Sequence, residues 1–217
     1  MSFRVVCISR STAAGGESIG QAVAQRLDFR YVDEQIITKA AQQAQVDPAL
    51  VAATEHRQPL LKRLLDKLPT GAALASTVTL ATGVPVDAFV PSSSSYRADS
   101  SDLRALIRAT IHEVASAGRA VIVAHAASIA LGSTEGVLRV LVTASADTRV
   151  RRLAEAERIT ETEAEQRIAA SDRERREYFR RFYSVDEELP THYDLIINTD
   201  ILTPTDASAV IAVAAGS

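Results

Sequence analysis

Residues 3–20, which read FRVVCISRSTAAGGESIG, decide the fold of this chain. The apolar run at 5–8 predicts a strand over 4–8 that is buried on both faces, as in the middle of a parallel sheet. A turn of small residues follows, and Ile19, Val23 and Leu27 then recur on one helical face. A strand, a small-residue loop and a helix N-terminus bring backbone N–H groups together, where the helix dipole favours negative charge. The stretch therefore predicts an anion site, and the alternative is an ordinary strand-to-helix turn.

The phosphate-binding consensus G-x-x-x-x-G-K-[ST] is not present in this loop. If Gly15 takes its last glycine, Gly16 falls where lysine belongs and Glu17 falls where Ser or Thr belongs. Glu17 adds an anion beside the expected site, although a carboxylate also stabilises a helix N-terminus. Arg10 is able to bind a phosphate through two hydrogen bonds, or it is a surface arginine.

Composition restricts the class of protein. With 217 residues, 47% hydrophobic and 24% charged, we expect one α/β domain with a real core, with or without an inserted subdomain. The net charge of -3 gives no general attraction to nucleic acid or anionic membranes. The single cysteine, Cys7, excludes an internal disulfide and Cys-based zinc sites, and the histidines are too scattered for a metal motif. Because no apolar run approaches a membrane span, we expect a soluble, cytoplasmic protein.

Strands and helices alternate along the rest of the chain. Four further strands are predicted at 29–32, 120–124, 138–142 and 194–198. Helices are predicted at 17–27, from Asp102 to about 117, at 147–156, from Thr160 to about 182, and at 204–214 after Thr203 as N-cap. Residues 34–99 have the pattern of a helical insertion. This alternation implies parallel strands joined by right-handed crossovers.

Two positions after predicted strands are candidates for binding a substrate. Asp33, which follows the second strand, is placed to accept hydrogen bonds from a sugar hydroxyl or a base amine, or to cap the next helix. His125, which follows the third strand, is placed to bind phosphate or to transfer a proton, although a lone histidine there is more often structural.

Arginines are concentrated in the two helices that follow the fourth strand. Interleaved glutamates favour a solvated, salt-bridged surface for most of them. The alternative is a lid whose arginines close on transferring phosphates, with two or three of them functional. The set comprises Arg149, Arg151, Arg152, Arg158, Arg167, Arg173, Arg175, Arg176, Arg180 and Arg181.

Five segments, in this order and spacing, resemble the cytidylate kinase-like family of nucleoside monophosphate kinases. They are Ile8-Ser9-Arg10 with Gly15-Gly16 and Ile19; the run YVDEQII at 31–37; Ala144-Ser145 with Arg149, Arg151 and Arg152; Asp172, Arg175 and Tyr178; and YDLIINT at 193–199. No single segment is specific, and the resemblance rests on all five together.

The resemblance implies a three-layer P-loop kinase-like α/β fold with a five-stranded parallel sheet of order 2-3-1-4-5. It implies one domain over 1–217, in which 34–99 binds the nucleoside monophosphate and 156–182 forms a lid. It also implies phosphorylation of CMP or dCMP with ATP and Mg²⁺, nucleotides as the partners, and a monomer or homodimer.

The resemblance also assigns residues to roles. Arg149 and Arg175 would stabilise the transferring phosphoryl group, and Asp33, His125 and Asp172 would lie on the acceptor side. The donor phosphates would be held by the loop residues Ser9, Arg10, Ser11, Thr12, Ala13, Ala14, Gly15, Gly16, Glu17 and Ser18.

The chain departs from the family pattern at three places. Ala13-Ala14 stand where the family has Gly-Ser, Glu17 replaces a neutral or basic residue, and Ala124-His125 replace Gly-Arg. An alanine backbone approaches a phosphate only if its φ stays negative. These departures favour a second function, a nucleotide- or anion-binding module without turnover. A third alternative is an assembly role, in which leucines at 60–68 form a dimer interface rather than internal core.

Overall fold

The computed structural model describes residues 3–33, 100–124 and 126–216. The predicted helical insertion at 34–99, with its leucines at 60–68, lies outside the described residues, as does His125.

Five parallel strands form one sheet in the order β2-β3-β1-β4-β5, which confirms the predicted order. The strands are β1 (Val5–Arg10), β2 (Arg30–Asp33), β3 (Ala120–Val123), β4 (Val137–Thr143) and β5 (Leu195–Asn198). In the centre, Ile8 of β1 is level with Val123 of β3 and Val140 of β4. The loop after β1 therefore leaves the middle of the carboxyl edge, where open α/β sheets bind ligands.

Helices cover both faces of the sheet. They are α1 (Gly16–Leu27), α2 (Ser100–Ala117), α3 (Ala127–Leu131), α4 (Ala146–Glu157), α5 (Glu161–Tyr183) and α6 (Pro204–Ala214). Ile19 of α1 and Ile211 of α6 belong to the apolar cluster on one face, and Val114 of α2 belongs to the cluster on the other. The described residues thus form the three layers that the sequence predicts.

The central strand is apolar on both faces, as predicted. Val6, Cys7 and Ile8 are fully buried. Burial raises the pKa of the Cys7 thiol to about 12, so this cysteine is an inert core residue at neutral pH.

Three of the helices have a side-chain N-cap, which is a Ser or a Thr in each case. Ser145 accepts a hydrogen bond from the Thr148 N–H at the start of α4, and Thr160 and Thr203 do the same for α5 and α6. Each cap satisfies one of the N–H groups that a helix start leaves without a partner.

The structure corrects two boundaries and adds two short elements. Helix α2 begins at Ser100, so Asp102 lies inside its first turn and is not the N-cap. Strand β1 continues to Arg10, two residues beyond the predicted end, because its pairing with β4 extends to Val142. The short helix α3 and the 3₁₀ turn Pro190–His192 were not predicted, since neither is long enough to show a periodic apolar pattern.

We predict that Gly20→Ala destabilises the fold. The new Cβ would collide with Val123 and lie 3.2 Å from the Tyr31 ring, and both neighbours are buried. Overpacking of this kind lowers the free energy of unfolding by about 1–3 kcal/mol. Urea denaturation measures the loss, and Gln21→Ala, exposed on the same helix, should change stability little. Equal stability of the two variants would contradict the close packing of α1 against β3.

Candidate functional site

Backbone hydrogen bonds fix the loop between β1 and α1. The Ser11 N–H donates to the Val142 carbonyl at 3.0 Å, which prolongs the sheet pairing by one residue. The Ala14 N–H then donates to the Ser11 carbonyl at 3.1 Å and closes a turn. Gly15, at φ 82°, caps α1 without a side-chain hydrogen bond. A left-handed conformation at this point suits glycine, which has no Cβ to clash.

Ala13 also adopts the left-handed conformation, with φ 62°. An alanine backbone was expected to approach a phosphate only with a negative φ, and Ala13 does not meet this condition. Ala14 stays outside the left-handed region, and its side chain is buried in the core. The loop thus keeps at Ala13 a conformation that glycine adopts more easily, which is the residue that the family has there.

Helix α1 starts at this loop, and its first-turn N–H groups have no acceptor within the helix. They belong to Gly16, Glu17 and Ser18. Ser18 turns its hydroxyl away from these groups, donating to the Gly15 carbonyl at 2.9 Å. A strand end, a tight turn and a 12-residue helix produce the backbone arrangement that binds anions.

We predict that Ala13→Gly stabilises the protein, because a left-handed alanine costs about 1–2 kcal/mol and the greater freedom of glycine in the unfolded chain offsets only part of it. The free energy of unfolding, from urea denaturation, should rise by up to about 1 kcal/mol. The adjacent Ala14→Gly is the matched control and should destabilise. A loss of stability in Ala13→Gly would show that the Ala13 methyl group contributes contacts that outweigh the strain.

Arg10 forms an ion pair with Glu17 across the start of α1. The Arg10 Nη2 lies 2.6 Å from the Glu17 Oε1, and 18% of the arginine side chain and 54% of the glutamate side chain are exposed. The Arg10 Nε is buried and has no hydrogen-bond partner among the described residues. The structure therefore brings together the two charged loop residues that the sequence singled out.

Helix α5 contacts the loop through two hydrogen bonds. The hydroxyls of Thr12 and Ser171 lie 2.6 Å apart, and Arg175 donates from Nη1 to the Arg10 carbonyl at 2.9 Å. The arginine-rich helix predicted as a lid is thus joined directly to the predicted phosphate loop.

Arg175 is buried and has a carboxylate partner. Its Nε and Nη2 donate to the two carboxylate oxygens of Glu188 at 2.9 and 2.6 Å, and the Tyr193 hydroxyl also donates to Glu188. The guanidinium lies 4.7 Å from the centre of the Phe179 ring. Burial acts to lower the pKa of Arg175, but Glu188 outweighs it and the pKa is raised. Burial and the nearby Glu188 carboxylate also raise the pKa of Tyr193, so its hydroxyl stays protonated.

We predict that Glu188→Gln destabilises the protein by about 2–3 kcal/mol, because it leaves the buried Arg175 charge with a neutral acceptor. Thermal or urea unfolding measures the effect. Asp186→Asn is the control, since Asp186 pairs with Arg180 at 3.2 Å with both side chains largely exposed, and its loss should be close to zero. If the two substitutions have equal effects, Glu188 does not hold the Arg175 charge.

Arg149 is the second buried arginine of the site. Its Nη1 and Nη2 donate to the two carboxylate oxygens of Asp172 at 2.9 and 2.7 Å, a bidentate pair that joins α4 to α5. The Arg149 Nε is buried with no hydrogen-bond partner among the described residues. The sequence placed Arg149 with the transferring group and Asp172 with the acceptor, and the structure brings the two together.

A pocket of about 410 Å³ adjoins the outer side of the loop. Helix α4 and the segment after β5 contribute apolar walls, including Leu153, Leu202 and Pro204. Its lining residues are Ala13, Ala14, Gly15, Glu17, Ile19, Arg152, Leu153, Ala156, Thr199, Leu202 and Pro204. A concave, mostly apolar pocket with a few polar groups is typical of small-molecule sites.

Thr199 holds the loop against this pocket. Its buried hydroxyl donates to the Ala14 carbonyl at 2.9 Å and accepts from the Arg152 Nη1 at 2.9 Å. Arg152 also donates to the Thr199 carbonyl at 2.6 Å. Arg152 therefore has a structural role here: it holds Thr199, which in turn holds the loop.

Asp33 ends β2 at the same carboxyl edge, level with Val123 of β3. The pKa of Tyr31 is raised, first by burial and then by the carboxylates of Asp33 and Glu17, while Arg10 acts to lower it. These charges therefore lie close enough to Tyr31 to share one electrostatic environment.

Sequence reasoning missed the partners of the arginines. Glu188 and Ser171 were not singled out, and Tyr193 and Thr199 were noticed only within a resembling segment. The sequence carries one signal for Glu188, since an arginine that is to be buried needs a carboxylate and Glu188 lies between the arginine-rich helix and the fifth strand.

Comparison with known proteins gives the family. The model of the cytidylate kinase-like family matches residues 5–201. The chain belongs to the cytidylate kinase-like family. A cytidylate kinase from Sulfolobus acidocaldarius is 36% identical over 74 residues, which is 34% of this chain and 41% of that protein. The chain thus aligns with less than half the length of this curated relative.

Two solved structures share the fold. An uncharacterized protein from Eubacterium ventriosum superposes with a TM-score of 0.67 at 14% identity and covers 98% of both chains. A shikimate kinase from Bacteroides thetaiotaomicron has a TM-score of 0.50 at 15% identity and covers 97% of this chain and 96% of its own. Family membership supports a nucleotide kinase-like function, and the two solved structures show the fold.

Among the helices that the structure describes, each is too short or too polar to span a bilayer. Within the described ranges, no group of three or more His, Cys, Asp or Glu side chains is arranged to hold a metal ion.

Proposed function

We propose that this protein transfers the terminal phosphoryl group of ATP to a nucleoside monophosphate, with CMP or dCMP as the acceptor. The observation that carries the proposal is the contact of helix α5, which holds the partners of two buried arginines, with the loop between β1 and α1. Arg175 bonds to the backbone of Arg10, and Arg149 is tied to Asp172 on the same helix as Arg175. Phosphoryl transfer needs this combination of backbone donors and fixed cations, because catalysis of it is mainly positioning and charge stabilisation.

The residues present fit the donor nucleotide. The first-turn N–H groups of α1 would bind its phosphates, and the adjoining pocket of about 410 Å³ is large enough for its nucleoside. Arg149 has five N–H donors, and its pair with Asp172 uses two of them, so further donors would be present for a phosphoryl oxygen.

Mg²⁺ fits the loop as well. Glu17 offers a half-exposed carboxylate where other phosphate loops place Ser or Thr, and Mg²⁺ is commonly held by one or two carboxylates plus phosphates and water. When bound, Mg²⁺ neutralises charge on the phosphates.

The acceptor would lie on the side of the loop where β2 and β3 end. Asp33, which ends β2, would accept hydrogen bonds from the sugar or base. Asp172 would contribute if it released Arg149, and His125, the second residue after β3 in the sequence, would be a further contact. We propose 34–99 as the nucleotide-monophosphate-binding region and 156–182 as the lid.

A second candidate function has its own observation in support. Three arginines of the site are each already paired with a carboxylate: Arg10 with Glu17, Arg149 with Asp172 and Arg175 with Glu188. A site with its cations neutralised suits a nucleotide-binding module without turnover. Such a protein would show a rise in melting temperature with nucleotide and no ADP release.

We predict turnover in an ADP-release assay over the common nucleoside monophosphates with ATP and Mg²⁺. Arg149→Lys keeps the charge but loses the planar fork, and it should lower kcat by at least about 100-fold, in line with the effect of a transition-state arginine. Arg151→Lys, exposed on the same helix, is the matched control and should be unchanged. No turnover by the wild type with any monophosphate would reject the kinase, and a nucleotide-induced thermal shift would then favour the second function.

A further inference from the structure

The space that a side chain at position 16 would occupy is filled by Arg10. A Cβ on Gly16 would lie 2.6 Å from the Arg10 Cβ and 2.8 Å from its Cδ. Real Cβ atoms do not approach other atoms so closely, so no lysine fits at position 16 while Arg10 stays where it is. The position of the Arg10 side chain therefore accounts for the absence of a lysine at position 16.

The guanidinium of Arg10 reaches the start of α1. Its Nη2 lies 2.6 Å from the Glu17 Oε1, and Glu17 is the residue after the position of the missing lysine. Its Nε has no hydrogen-bond partner among the described residues, although it is buried. The charge thus lies beside the first-turn N–H groups of α1, with donors left over for a second acceptor.

Glu17 is the weaker partner of this pair. Its side chain is 54% exposed, so water replaces the lost ion pair readily when the carboxylate turns outward. Arg10 is held much more tightly, since only 18% of its side chain is exposed and its carbonyl is bonded to Arg175. When an anion arrives, Glu17 is therefore the group that moves.

We propose that Arg10 supplies the phosphate-binding cation that a lysine supplies in other phosphate loops. In the absence of ligand Arg10 is ion-paired with Glu17, and a polyphosphate displaces the Glu17 carboxylate when it binds. The proposal rests on the proposed function, because it names the cation of the same phosphate site. The ligand class is the phosphate chain of a nucleoside triphosphate. No covalent step is involved, since one ion pair is exchanged for another.

The test is a double-mutant cycle on the affinity of the full chain for inorganic tripolyphosphate, measured by calorimetry in EDTA at constant ionic strength. Arg10→Met keeps the aliphatic stem that packs on Gly16 and should weaken binding by about tenfold or more, the loss of one charge-assisted contact. Glu17→Gln should strengthen binding by about threefold to fivefold, the usual size of an exposed ion pair. In the Arg10→Met background the same Glu17→Gln change should give a smaller gain, because only the direct repulsion between Glu17 and the phosphates remains to be removed.

The matched control lies at the other end of α1, where Arg119 pairs with Asp28 at 2.6 Å. Asp28→Asn removes the same charge from the same kind of pair and should leave tripolyphosphate affinity unchanged. Thermal unfolding of each variant checks the fold, and Glu17→Gln, exposed, tests the proposal without altering Arg10.

The outcomes separate this inference from the kinase itself. Equal affinity of wild type and Arg10→Met, or an equal gain from Glu17→Gln in both backgrounds, would overturn it even if the wild type turns over nucleotides. No measurable tripolyphosphate binding by the wild type would overturn it as well. The expected cycle in a protein without turnover would leave the inference standing and reject the kinase.

Discussion

The buried charge of Arg175 is the constraint on which the rest of the site depends. A guanidinium removed from water needs a countercharge and acceptors for its N–H groups, and only a nearly complete set makes its burial tolerable. Glu188 provides the charge, the Arg10 carbonyl provides a further acceptor, and the Phe179 ring covers the face of the cation. Because these three groups come from the segment after α5, from the end of β1 and from α5 itself, satisfying one arginine fixes where the arginine helix lies against the phosphate loop.

The same rule extends to the other arginines and gives the site its electrostatic character. Arg149 with Asp172, and Arg10 with Glu17, are pairs in which each cation already has an anion. The binding free energy that a phosphate gains from these arginines is therefore only the difference between the new phosphate contact and the carboxylate contact that it replaces. That difference is largest where the carboxylate is exposed and leaves easily, at Glu17, and smallest where it is held bidentately, at Asp172. A kinase and a binding module with this architecture differ in whether the bidentate pair also opens.

Features set by residues close together in the sequence could be predicted, and features set by contacts between distant residues could not. The five strands could be predicted because buried parallel strands are continuous apolar runs, and the caps Thr160 and Thr203 could be predicted because a cap acts within three residues of its own position. The loop and its arginines could be identified by type and by resemblance. Their partners could not, because Ser171 meets Thr12 across 159 residues and Thr199 meets Ala14 across 185, separations that carry no local pattern. The positive φ of Ala13 was also unreadable, since nothing in the residue type asks for it.

The departures of the loop from other phosphate loops are connected by geometry. Arg10 lies across the N-terminus of α1, which requires Gly16 to lack a side chain and thereby removes the lysine position. A guanidinium lying beside the helix start favours a carboxylate next to it, and Glu17 at the second helical position is the nearest that the backbone can offer. Glu17 also lies where a helix favours negative charge, so its two positive neighbours, the arginine and the helix dipole, both stabilise it in the absence of ligand. The two departures from the consensus, Gly16 in place of lysine and Glu17 in place of Ser or Thr, are therefore not independent. Once the cation comes from Arg10 on the strand instead of from the helix, Gly16 is required and Glu17 is favoured.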